Sequence, residues 1–518
     1  MIALEKVIIL DLGGQDTQLI ARKIRELKVY CEIMPYSTSF NFLLAANPSA
    51  LILAGGPDSI YKDNAPRCDP RIYTLDIPVL GICYGMQLMA RDLGGEVIQS
   101  REQGHRKVLL TVVEKSVVEE GEGLFTGLGK EFPAWINCSD RVTKAPPGFK
   151  VLAQGPHIPV AAMGDVSRKL FGLQFCPEAP HTPQGDLLLK NYLEKICSFS
   201  GNWTMENFVK NTIMEIKEKV GPDARAVCGL SGGIDSSVAA VLVHRALGER
   251  LTCIFVDHGL LRKGEKGQVL SLFSGEFKMK IITVDAADEM LGLLRGVSDP
   301  EQKRKIIGNH FIRVFEREAE KMGRADFLVQ GTLYPDVIES STAAGAVIKS
   351  HHNVGGLPED MRFSLIEPLK FLFKDEVRQV AAELGLPEEI VWRHPFPGPG
   401  LAVRVLGEVT PEKIAIVREA DYIIVEEIKK AGLYRDIWQA FAVLPGIYSV
   451  GVKGGCRTYA HTIVLRAVTS QDGMTADWYP IPYEVLRTIS TRLVNEIPEV
   501  NRFVYDLTSK PPSTIEWE

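Results

Sequence analysis

The chain has 518 residues, of which 45% are hydrophobic and 24% charged, with a formal net charge of −6. That length exceeds what one hydrophobic core supports and predicts two to four domains. The mildly acidic balance argues against a nucleic-acid partner, and no apolar stretch is long enough to span a membrane.

The N-terminus carries Glu5 and Lys6 and runs into Val7-Ile8-Ile9-Leu10, which reads as a first strand and not a signal peptide. Apolar runs at 7–10, 51–54 and 79–82 alternate with helical patterns at 17–28 and 86–93. This is the rhythm of an α/β layer fold. Gly81-Ile82-Cys83-Tyr84-Gly85 sits between the strand-like Pro78-Val79-Leu80 and the helical Met86-Gln87-Leu88-Met89-Ala90. A cysteine flanked by glycines on such a turn is held exposed, with its sulfur at the positive end of a helix, which favours thiolate. Nine cysteines (31, 68, 83, 138, 176, 197, 228, 253, 456) occur without a Cys-x-x-Cys pair. They read as reduced thiols in a cytoplasmic protein.

The polar stretch Ser198-Phe199-Ser200-Gly201-Asn202 reads as a linker. Beyond it the strand-then-helix rhythm resumes, with strands expected at 226–230, 251–257, 280–284 and 326–330. Between the first of these and the helical Ser237-Val238-Ala239-Ala240-Val241-Leu242-Val243-His244 lies Ser231-Gly232-Gly233-Ile234-Asp235-Ser236-Ser237. A small-residue loop opening a helix presents backbone N–H groups and hydroxyls to an anion, with the helix dipole behind them. It lacks the Gly-Lys-Ser/Thr ending of a Walker A loop; Asp235 stands there instead, able to hold magnesium against phosphate oxygens.

Pro395-Phe396-Pro397-Gly398-Pro399-Gly400 breaks any helix or central strand and marks the next boundary. The last segment combines a long helical pattern at 411–431 with strand-like runs at 447–452 and 461–468. The expected architecture is two α/β domains with mainly parallel sheets, 1–199 and 202–393, and a small α+β domain, 394–518. There is no internal repeat and no low-complexity tract.

Three resemblances rest on these residues. Gly81-Ile82-Cys83-Tyr84-Gly85-Met86-Gln87 resembles the nucleophile elbow of class I glutamine amidotransferases, which hydrolyse glutamine through a thioester. Leu53-Ala54-Gly55-Gly56-Pro57 is similar to that family's oxyanion turn, which implies oxyanion roles for Gly56 and Tyr84. The family's second signature, Gln-Phe-His-Pro-Glu, appears here as Gln174-Phe175-Cys176-Pro177-Glu178, with Glu178 kept and Cys176 at the position of the base histidine. A thiol cannot become a stable cation beside Cys83, so an impaired glutaminase is expected. His181, five residues on, is a weaker substitute. Asn137-Cys138-Ser139-Asp140, Gly14-Gln15-Asp16 and Gln103-Gly104-His105 also depart from the family's usual residues.

The Ser231–Ser237 run resembles the loop of ATP pyrophosphatases, which release pyrophosphate while adenylating a substrate. The third resemblance covers essentially the whole chain. Val256-Asp257-His258-Gly259-Leu260-Leu261-Arg262, Gln330-Gly331-Thr332-Leu333-Tyr334-Pro335-Asp336, Ile348-Lys349-Ser350-His351-His352-Asn353 and the tail Lys510-Pro511-Pro512-Ser513-Thr514-Ile515-Glu516-Trp517-Glu518 are similar to single-chain GMP synthetases. That family adenylates XMP with Mg-ATP, displaces AMP with ammonia and dimerises through its C-terminal domain. The resemblance implies that Val256 and Phe311 lie at adenine, and that Arg304, Lys349, Lys374 and Lys510 meet phosphates or a lid. Arg404 is a further cation of this kind, and Asp336, Glu339 and Asp375 are acidic partners. Glu516 belongs to a tail that reaches the XMP site, and the glycines and prolines of 350–360 and 395–400 fit a mobile lid. Asn309-His310 and Gly454-Gly455 depart from the pattern, which leaves as one alternative a paralogous ligase aminating a related purine nucleotide. The broken glutaminase signature leaves another, a non-catalytic nucleotide-binding protein. A substrate panel scored by AMP release separates them.

Overall fold

The computed structural model describes residues 5–14, 16–56, 59–99, 106–113, 123–136, 140–322, 325–342, 363–470, 473 and 475–518. The chain divides into two units, Met1–Phe208 and Val209–Glu518.

The strands of the first unit's main sheet are β1 (Lys6–Asp11), β2 (Tyr30–Pro35), β3 (Ala50–Ala54), β4 (Val79–Ile82), β6 (Arg106–Val112), β7 (Glu131–Ile136), β9 (Lys150–Gly155), β10 (Ile158–Asp165) and β11 (Leu170–Leu173). They are ordered β2-β1-β3-β4-β11-β10-β9-β6-β7. A separate ribbon pairs β5 (Glu96–Gln99) with β8 (Asp140–Lys144). From β2 to β11 in that order the neighbours are parallel, and the remaining ones are antiparallel. Val7, Ile8, Ile9 and Leu51–Ala54 are 0% exposed, as unbroken apolar runs covered on both faces should be. Because β1, β3, β4 and β11 are parallel neighbours, the loops after each of them leave at one edge. Residues 12–14 and 16, 55–56, 83 and 174–178 are thereby gathered from four distant parts of the chain.

The expected linker is tied down on this unit. The Ser200 N–H and hydroxyl both donate to Glu5 Oε1 at 2.7 Å, and Trp203 packs on Tyr30 with ring centroids 4.7 Å apart.

The second unit holds two sheets. The first is built from β12 (Ala226–Gly229), β13 (Leu251–Asp257), β14 (Lys280–Asp285), β15 (Phe327–Val329) and β16 (Ser364–Ile366). It is wholly parallel, ordered β14-β13-β12-β15-β16. The chain builds outward from β12 first to one side and then to the other. The loops after β12 and β15 therefore flank the point where strand order reverses, which is where open α/β sheets bind ligands.

The second sheet centres on β19 (Cys456–Thr469), with β17 (Gln439–Val443), β18 (Tyr448–Lys453) and β20 (Asp477–Trp478) antiparallel to it and β21 (Val500–Asp506) parallel. The helices Pro411–Lys430 and Tyr483–Glu496 pack into one core with it through Val417, Ile424, Ile463, Leu465, Ile489 and Leu493. This mixed α+β layer, with the two parallel-rich α/β sheets, is the fold class the sequence predicts. The helix pattern at 411–431 is right to one residue. Strand β19 begins earlier than the expected 461 because its polar start, Cys456-Arg457-Thr458-Tyr459, carries no apolar signal.

Candidate active site

In the first unit Cys83 sits between β4 and the helix Tyr84–Asp92, with φ 51° and ψ −108°. A left-handed backbone at a cysteine is strained, and it persists here because the surroundings leave no alternative. A Cβ on Gly81 would lie 2.7 Å from the Gly85 carbonyl carbon, and one on Gly85 would run into the Leu53 carbonyl oxygen. The two glycines let the helix start press onto β3 and β4. Gly56 completes the turn, since its Cβ would collide with the Tyr84 ring. Tyr84 is the first helical residue, whose backbone N–H has no acceptor within the helix. Gly56 and Tyr84 thus stand together beside the nucleophile, though Pro57 lies outside the described residues.

The Cys83 N–H donates to the Leu173 carbonyl at 2.7 Å, which locks the elbow to the end of β11. From there the chain brings Cys176 round so that its Sγ lies 3.4 Å from Cys83 Sγ. The Cys176 N–H donates to the Trp135 carbonyl at 2.9 Å, and its carbonyl accepts from the Thr182 hydroxyl at 2.8 Å. Glu178 is 4% exposed and hydrogen-bonds the Cys176 side chain; burial pushes its carboxyl up to about 7, with Asp16 nearby adding to the rise. Its Oε2 is buried with no hydrogen-bond partner among the described residues. Asp16, Leu19, Trp135, Cys176, Glu178 and His181 line a cleft of about 210 Å³. His181 stacks on the Trp135 ring, with centroids 4.5 Å apart.

Trp135 carries no sequence signal, because its strand Glu131–Ile136 lies outside any motif. Asn137-Cys138-Ser139, Gln15 and Gln103-Gly104-His105 lie outside the described residues.

In the second unit Ser231–Ser237 forms a self-bonded loop. The Ser231 and Ser236 hydroxyl oxygens are 2.8 Å apart, the Gly233 N–H donates to Ser231 Oγ at 3.3 Å, and the Ser237 hydroxyl donates to the Gly233 carbonyl at 2.7 Å. Gly232 has φ 75°, and Arg393, which no sequence motif marks, donates to its carbonyl at 2.9 Å. Asp235 opens the helix Ile234–Leu247, and Lys374 Nζ binds both its carboxylate oxygens at 2.7 and 2.6 Å. Gly331, in the loop after β15, packs on Asp235; a Cβ there would lie 3.3 Å from its backbone. Val256 belongs to an apolar cluster that spans this sheet, and Phe311 packs against it.

The remaining candidates fall into separate places. Asp336 Oδ2 accepts the Leu333 N–H at 2.9 Å and so caps its own helix, while Asp375 is exposed. Lys510 donates to the Gly473 carbonyl at 2.7 Å. Arg404 is 0% exposed and lies 3.2 Å from both Asp421 and Glu516, so its charge is already answered. Arg304 donates to the Glu518 carbonyl, and Lys303 pairs with the Glu518 side chain. Lys349, the lid at 350–360 and the Glu339 side chain lie outside the described residues. Among the described residues no cluster of three or more His, Cys, Asp or Glu side chains could hold a metal, and no helix is long and apolar enough to cross a membrane.

Comparison with known proteins covers 99% of the chain. Residues 8–196 match the class-I glutamine amidotransferase model, 204–314 the NAD synthase model and 426–517 the GMP synthase C-terminal domain model. A GMP synthase (glutamine-hydrolyzing) of Carboxydothermus hydrogenoformans is 61% identical over 99% of both chains. One of Clostridium botulinum is 58% identical over 99% of both. A solved glutamine amidotransferase of Thermotoga maritima, 16% identical with TM-score 0.30, covers 38% of this chain and 100% of its own.

Proposed function

The chain belongs to the GMP synthase (glutamine-hydrolyzing) family, and on that premise we propose that it is an ATP-dependent ligase that aminates XMP to GMP, with a glutaminase half impaired at its base. The working division is 1–199 for the amidotransferase, 202–393 for the ATP pyrophosphatase and 394–518 for the C-terminal domain. The observation that supports synthesis is the Ser231–Ser237 loop at the strand-order reversal, with Asp235 and Lys374 paired at its mouth. Backbone N–H groups and the helix dipole receive ATP phosphates there, and Lys374 offers a cation to the same oxygens. One carboxylate beside bound phosphates is the usual protein share of a magnesium site, so Asp235 fits that ion. When bound, magnesium neutralises charge on the leaving pyrophosphate. Adenylation of the XMP C2 oxygen then prepares the carbon for ammonia, and AMP leaves.

In the amidotransferase half Cys83 attacks the glutamine amide, and the Tyr84 N–H and the Gly56 turn receive the oxyanion. Where the family places an imidazole to take the proton of Cys83, this chain places the Cys176 thiol, 3.4 Å away and backed by Glu178. Arg404 and Glu516, bonded to one another, hold the tail. We place the enzyme in the cytoplasm as a homodimer joined through its C-terminal domain.

The test is GMP formation from XMP, ATP and magnesium with glutamine and, separately, with ammonium. Ammonium should support full synthesis, while glutamine-driven turnover should be lower by the ~10²–10⁴-fold that general acid–base catalysis provides. Cys176→His should raise the glutamine rate and leave the ammonium rate alone. Equal rates with both nitrogen sources in the parent chain would show that another residue serves as base and would overturn the impairment. No AMP release with either source would overturn the ligase.

A further inference from the structure

We propose that Cys83 and Cys176 are a reversible oxidation site, joined as a disulfide by a hydroperoxide and reopened by a dithiol. The proposal rests on the reading of Cys83 as the glutamine nucleophile, because its consequence is that oxidation closes the glutaminase half. The two sulfurs are 3.4 Å apart, and a disulfide needs about 2.05 Å, so the pair closes by an approach of about 1.4 Å. The two side chains stand on separate loops, so the sulfurs make that approach by side-chain rotation while the backbone of the elbow stays locked to β11. Cys83 follows β4 and Cys176 follows β11, strands in parallel register with Ile82 opposite Leu173.

The two thiols are unequal in the way a peroxide-sensing pair requires. Cys83 caps the start of a helix, where the dipole favours thiolate and hence attack on a peroxide. Cys176, whose Sγ lies against that of Cys83, lines a cleft with Glu178 and His181, which gives a small oxidant a way to the sulfur pair. Cys228 and Cys253 also stand opposite each other, on β12 and β13, but they are 1% and 0% exposed inside a parallel sheet, with no such access.

The chemistry balances in two steps. The Cys83 thiolate attacks one peroxide oxygen and breaks the O–O bond; the departing hydroxide takes up a proton to leave as water, and Cys83 becomes the sulfenic acid. The Cys176 sulfur then attacks Cys83 Sγ and displaces the hydroxyl as a second water, using the thiol's own proton. Two sulfurs have lost two electrons to one peroxide. A dithiol returns them by exchange.

The experiment treats the full chain with hydrogen peroxide, blocks remaining thiols, and maps digested peptides before and after dithiothreitol. The expected result is a peptide pair linking residues 83 and 176, about 2 Da lighter than the sum of its parts, that dithiothreitol separates. Glutamine-dependent GMP formation should fall at least ~10-fold and return with dithiothreitol, while the ammonium-dependent rate stays unchanged. In Cys176→Ser the link should be absent and Cys83 should pass to sulfinic acid, which dithiothreitol does not restore. The proposal is overturned if Cys83 reaches sulfinic acid in the parent chain while Cys176 is still alkylated, or if the link maps to Cys228–Cys253 or to Cys138. The peptide map needs no glutamine hydrolysis, so it separates failure of the disulfide from failure of the glutaminase half.

Discussion

Glu178 is a buried carboxyl pushed up to about 7, and the consequence can be measured without any substrate. Burial raises its carboxyl from an ordinary 4.5 to about 7, and the hydrogen bonds from its own backbone and from Cys176 offset only part of that. Between those two values the folded chain keeps a proton that the unfolded chain has released. The contribution of Glu178 to stability is therefore highest below about pH 4.5, falls as pH rises to about 7, and stays at the lower level above it. A shift of this size corresponds to on the order of 3 kcal/mol. Glu178→Gln keeps the shape and removes the charge. Its thermal midpoint should exceed that of the parent at pH 8 and match it near pH 5; an equal gain at both would mean that the carboxyl is not the cause. The Cys176 thiol and Asp235 were legible in the sequence as departures from, or members of, short motifs. That Lys374 grips Asp235 was not, because the two are 139 positions apart.

Glycine placement decides how the helix Tyr84–Asp92 meets its sheet. A side chain at Gly85 would enter the Leu53 carbonyl, a backbone group with no flexible tip to yield. Gly85→Ala should therefore lower stability by about 1–3 kcal/mol. It should also displace Cys83, so glutamine use drops further while the ammonium rate holds; unchanged melting and glutamine turnover would refute the packing argument. Elements buried along nearly their whole length, such as β1, β3 and β13, announce themselves as apolar runs. The antiparallel strands β6 to β9 and the polar start of β19 do not, since pairing and not burial holds their exposed positions.

At the largest scale the C-terminal sheet leaves an apolar face uncovered. Tyr448, Val450 and Val452 alternate along β18 at 46%, 45% and 72% exposure, and Tyr459, opposite Val450, is 71% exposed. Residues two apart on a strand, and those directly opposite, share one face of a sheet. Contiguous apolar surface of this kind marks an association site. Sedimentation at micromolar concentration should show a dimer for the parent chain and a shift toward monomer for Val452→Lys. A parent chain that sediments as a fully active monomer removes the dimer proposal.

The strand-and-helix rhythm, the two strand-to-helix turns with their chemistry, and the substitution at residue 176 are each written in neighbouring residues, so the chain reveals them before it is folded. Which distant groups meet is a property of the fold alone. Parallel register between β4 and β11 sets Cys83 against Cys176 across 93 positions. Arg404, whose sequence context admitted a phosphate, is instead enclosed by Asp421 and Glu516. A buried guanidinium must find its counter-charges wherever the fold delivers them, and no local pattern records where that is.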